Sequence, residues 1–124
     1  MKSILFFAIA VLIGASASAL EFSEIAGKYK ATSAYPVYNI IDLSATGQVG
    51  LQEISMIDPN SVITCQGQAS ISGMLVNSDM TCDNGRGFHQ VIDLTNVNTK
   101  AKTFEANVFS TAYGRTVLMT FERL

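Results

Sequence analysis

Two cysteines constrain the pairing of this chain more than any other residues do. If Cys65 and Cys82 face each other across an antiparallel hairpin, the turn falls on Gly73-Met74. That is a two-residue loop with glycine first, as a type II′ turn requires. The same register sets Ile63, Cys65, Ala69 and Ile71 against Asn84, Cys82, Ser78 and Val76 on one face. Thr64, Gln66, Gln68 and Ser70 then point the other way. Counting outward from the turn, Ser72 and Leu75 form a hydrogen-bonded pair. The pairs 71/76, 69/78, 67/80 and 65/82 fall in the other class, where Cα atoms approach to about 4.5 Å, so the spacing predicts an intrachain disulfide.

The amino terminus supplies the compartment that such a bond needs. Lys2, the apolar run Ile4 to Ile13 and the small residues Ala17-Ser18-Ala19 make the three parts of a secretory signal. Cleavage is expected after Ala19, with the mature chain starting at Leu20. The apolar run is about ten residues, against roughly twenty for a spanning helix, so no stable membrane insertion is expected once the signal is removed. The expected location is periplasmic or secreted. Losing Lys2 leaves seven basic against ten acidic residues and moves the net charge from −2 to −3, which argues against nucleic acid as a partner. Two cysteines and one histidine do not fill a zinc shell, so neither a metal nor a cofactor is expected.

Residues 20–124 are enough for one small domain, and they carry no long stretch of helical periodicity. β-Branched and aromatic residues recur in short runs between turn signals. Strands are expected near 27–33, 37–43, 48–57, 61–72, 75–83, 87–94, 103–110 and 115–123. Phe88, Gln90, Ile92 and Leu94 share one face, as do Phe104, Ala106 and Val108, and Val117, Met119 and Phe121. In the third strand Val49 and Leu51 take one phase and Ile54 and Met56 the other, which predicts a β-bulge beside Glu53. Eight strands with short connections predict an all-β, eight-stranded antiparallel up-and-down β-barrel. The alternative is a two-sheet β-sandwich. A membrane-spanning barrel is not expected, since most strands are too short and Glu105, Asn107, Thr116, Thr120 and Glu122 take the outward phase.

Gly27-Lys28-Tyr29 at the start of the first strand and Arg123 at the end of the last resemble the opening and closing residues of the lipocalin-like, or calycin, barrels. The chain has Tyr where that family usually has Trp, and its size is closer to the avidin-type members. The resemblance implies a closed barrel whose aromatic and arginine pack together to plug one end, and it implies ligand binding.

No residue pattern names a reaction. There is no glycine-x-serine-x-glycine elbow, and Gly85-Arg86-Gly87 lacks the helix and lysine of a phosphate loop. His89 and Asp93 lie four residues apart on one strand face, about 13 Å, too far to pair without help from a neighbouring strand. Gln90 is different, because it falls in the inward phase and a buried amide must find partners in the core or in a ligand. In an up-and-down barrel alternate connections gather at one end, so Tyr35, Arg86, Tyr113 and Arg115 are expected on one rim. These residue types suit binding hot spots. The expected function is therefore an exported, non-catalytic binding module of the cell envelope. Its partner would be a protein or a small apolar ligand, received at that rim in preference to a deep cavity. The alternatives are a small periplasmic hydrolase or isomerase using His89, and a structural envelope component.

Overall fold

Alternation of apolar and polar residues along eight short segments leaves each strand with one face to bury, and the chain buries all eight in one closed barrel. A computed structural model describes residues 20–33 and 36–124; the expected signal segment 1–19 and Tyr35 lie outside the described residues. The strands are β1 (Gly27–Thr32), β2 (Val37–Leu43), β3 (Gln48–Ser55), β4 (Val62–Ser72), β5 (Leu75–Cys82), β6 (Gly87–Asp93), β7 (Thr103–Ser110) and β8 (Arg115–Arg123). Each pairs with its sequence neighbour, and β8 closes on β1. The sheet is single and continuous, so the two-sheet sandwich is ruled out.

The β4–β5 hairpin has the register that the cysteines imply. Cys65 faces Cys82, with Ala69 opposite Ser78 and Ile71 opposite Val76. The two cysteines are disulfide-bonded, with Cα atoms 3.9 Å apart. Cys82 N–H donates to the Arg86 carbonyl, away from β4, as a non-hydrogen-bonded pair requires. Gly73 has φ +61° while Met74 does not take a positive φ, which is the type II′ pattern. Gly67 has a separate reason: a Cβ there would lie 1.8 Å from the Asp79 carbonyl oxygen, so only glycine lets β5 lie against β4 at this point.

The expected bulge beside Glu53 is absent. β3 runs in unbroken register against β2 from Val37↔Ser55 to Leu43↔Val49, and against β4 from Gln48↔Gln68 to Ile54↔Val62. Glu53 therefore continues the inward phase of Val49 and Leu51, and Ile54 and Met56 occupy the outer phase. The physical reason is that this end of the barrel is open, so an inward carboxylate there is not sealed from solvent.

The opposite end is closed. A one-turn helix α1 (Phe22–Ile25), begun by Glu21 N–H donating to Glu24 Oε1, lies ahead of β1, and both Leu20 and Ile25 join the core. Tyr29 hydroxyl donates to the Ile25 carbonyl. Its ring meets Phe104 and Phe121 edge-on, and those two stack with centroids 5.3 Å apart. Arg123 lies over the Tyr29 ring at 4.9 Å and donates to the Thr99 carbonyl at 2.6 Å. Burial pushes the Tyr29 phenol above its ordinary range, and the adjacent guanidinium offsets part of that rise. Val108, Met119 and Phe121 are buried at the centre, with Phe88, Ile92, Phe104 and Val117 packed against them. No helix among the described residues is long and apolar enough to cross a membrane.

Candidate functional site

The open end is built by the turns that follow β3, β5 and β7 and by the residue preceding β2. Met56 N–H donates to the Pro36 carbonyl at 2.7 Å, tying two of these connections together. Inside this mouth lies a cavity of about 260 Å³ to which every strand from β2 to β7 contributes. The aromatic plug leaves only a small apolar void of about 40 Å³ at the other end. The interior is thus filled in its closed half and hollow in its open half, where the rim was expected to receive a partner in preference to a deep cavity.

The walls combine two chemistries. Leu51, Ile63, Phe88 and the Cys65–Cys82 disulfide give apolar surface. Asn39, Glu53, Gln90, Ser110 and Arg86 give polar and charged groups. Pairing explains how these come together. Asn39 on β2 sits opposite Glu53 on β3, and Gln90 on β6 sits between Ser78 on β5 and Ser110 on β7. All five share the inward phase of their strands. The result is an inward polar layer in a barrel otherwise lined by apolar side chains.

Two of these groups carry an unmet requirement. Asn39 and Gln90 are each only 3% exposed, and neither Asn39 Oδ1 nor Gln90 Oε1 has a hydrogen-bond partner among the described residues. Burying a polar oxygen without a partner costs about 1–3 kcal/mol, so most native interiors avoid it. Ser110, also buried, accepts at its hydroxyl oxygen from the Ala112 N–H at 3.1 Å. It helps shape the turn after β7.

The rim residues expected from the sequence divide. Arg86 and Tyr113 line the cavity together with Gln90. Arg115 is exposed at the start of β8 and is not part of the lining. Tyr35 lies outside the described residues. Glu53 and Asn39 were missed, although the phase of Val49 and Leu51 pointed to Glu53. The signal for Asn39 was its place between the apolar residues of β2, two positions from Ile41 and four from Leu43.

His89 does find a carboxylate on a neighbouring strand. Its Nδ1 lies 2.8 Å from Asp79 Oδ1, the two residues being opposite each other in the β5–β6 ladder. The pair stands on the outer face, with the Asp79 side chain 88% exposed, and neither residue lines the cavity. Thr111 lies alongside, its hydroxyl accepting from His89 N–H at 2.9 Å. Among the described residues no three His, Cys, Asp or Glu side chains cluster as metal ligands would.

No family model matches the chain, and no curated protein or solved structure does either.

Proposed function

We propose that this protein is an exported binding barrel that takes one small amphipathic molecule into its open end. The observation that carries this reading is a 260 Å³ cavity whose apolar walls also carry the side chains of Asn39 and Gln90, two buried amides whose oxygens have no hydrogen-bond partner among the described residues. A site that fixes a ligand by a few convergent polar groups on an otherwise apolar surface has this composition. The volume suits a compact molecule. At about 30 Å³ per water-sized unit it holds roughly nine such units, too few for a long-chain lipid.

Export is supported by the disulfide and by the three-part segment 1–19, and Leu20 at the expected cleavage site packs into the core. Kinship with the lipocalin-like barrels is supported by the packing of Arg123 on Tyr29 at the closed end. The exposed position of His89 and Asp79, away from the concave surface, favours binding over hydrolysis or isomerisation by that pair. A protein partner is the second reading, favoured by Met56 and Ile57 standing exposed on the β3–β4 turn, Ile57 at 68%.

The test compares the native protein with Asn39→Phe, which fills part of the cavity and removes an unpartnered amide. Both are incubated with concentrated culture medium or envelope extract, re-purified, and denatured, and the released small molecules are identified by mass spectrometry. The native protein should carry a compound near one equivalent that Asn39→Phe lacks, while the variant melts at the same temperature or higher. If both carry the same compound in equal amount, or neither carries any, the cavity is not a binding site. Loss of protein capture by Ile57→Asp, with the small molecule retained, would establish the rim as a separate surface.

A further inference from the structure

Glu53 and Arg86 line the same cavity, yet they form no ion pair. Among the described residues the only contact within 4.0 Å between a basic side chain and a carboxylate is that of His89 and Asp79 on the outside of the barrel. The Arg86 guanidinium donates to no described residue; the hydrogen bond recorded for Arg86 is from its backbone N–H to Asn84 Oδ1, which sets the turn. The cavity therefore presents one carboxylate and one guanidinium, each with its hydrogen-bonding capacity available to a third party.

The two charged side chains decide which charge goes where. Asn39, also on the cavity wall, is the cross-strand partner of Glu53. The Glu53 carboxylate is complemented by an ammonium, which brings three N–H donors and the opposite charge. Arg86, reached from the turn after β5, has the planar fork that matches a carboxylate. Leu51, Ile63 and Phe88 lie on the walls and suit an apolar stem.

Resting on the small-molecule reading above, we infer that the ligand is a small zwitterion of free amino-acid size. Its ammonium meets Glu53, and its carboxylate meets Arg86. The volume, equivalent to roughly nine water-sized units, agrees with a molecule of that size.

Four probes separate the contributions: leucine, 3-methylbutylamine, which lacks the carboxylate, 4-methylpentanoate, which lacks the ammonium, and 4-methylpentan-1-ol, which lacks both. Binding is read by calorimetry and by amide chemical shifts on the full mature chain, with melting temperature as the control for folding. Leucine should bind at least about tenfold more tightly than any of the other three. Glu53→Gln should weaken leucine and the amine about tenfold while leaving 4-methylpentanoate within twofold. Arg86→Gln should do the reverse. If leucine fails to bind, or if the alcohol binds as tightly as leucine and neither substitution changes the order, the zwitterion inference is overturned. The extraction comparison of native protein with Asn39→Phe decides the cavity reading separately, since a neutral ligand recovered there would uphold the site and discard its charge assignment.

Discussion

Tyr29 is the residue on which the closed end turns. It joins three interactions in one side chain: the hydroxyl bond to the Ile25 carbonyl, edge contacts to Phe104 and Phe121, and the Arg123 guanidinium over its face. Its phenol is raised chiefly by burial, so the folded state holds that proton more tightly than the unfolded chain does. The corresponding stability is fully present below the unfolded value, about pH 10, and is lost as the pH climbs through the folded value. An alkaline titration followed by tyrosinate absorbance should show one of the four tyrosines ionising late, together with loss of the folded signal. Tyr29→Phe should remove that late step and lower neutral-pH stability by about 1 kcal/mol through the lost hydrogen bond. Ionisation of all four near pH 10 without unfolding would contradict the role assigned to burial.

At the scale of elements, the hairpin β4–β5 is the part of the fold most fully written in the residues. Two cysteines, one glycine-led turn and an alternating pattern all specify the same register, and each would be violated by a one-residue slip. Breaking the cross-link with Cys65→Ala and Cys82→Ala together should lower stability by about 3 kcal/mol on loop-closure grounds, measured by urea unfolding of native and variant chains. A loss under about 1 kcal/mol would mean that the hairpin is held by its packing alone. Strand β3 was less legible. The change of apolar phase from Val49 and Leu51 to Ile54 and Met56 reads as a bulge, whereas the register is unbroken and Glu53 stays in the inward phase at the hollow end. Helix α1 was missed because four residues leave no periodicity to read; only the Glu21 and Glu24 spacing hinted at it. The cavity itself could not be read from any strand, since it arises where six of them converge.

For the molecule as a whole, the barrel is divided along its axis between stability and opportunity. One end is sealed by stacked aromatics and an arginine, while the other leaves two buried amides whose oxygens are unpaired among the described residues. If those amides are kept for a ligand, the free protein is less stable than its scaffold allows, and replacing one by an apolar side chain of similar size should reveal the difference. Gln90→Leu removes a buried acceptor that has no partner among the described residues and keeps most of the side-chain volume. The gain should be about 1–3 kcal/mol, the penalty of an unpartnered buried group. In a domain of this size each kcal/mol raises the melting temperature by about 4–8 °C. The same substitution should weaken leucine binding, because it removes a polar side chain from the cavity wall. Stability and binding thus move in opposite directions at one position, which a purely structural glutamine would not produce. A variant that melts lower than the native protein would show that the Gln90 amide is fully satisfied in the folded barrel, and the division of the barrel into a stabilising end and a receiving end would fall with it.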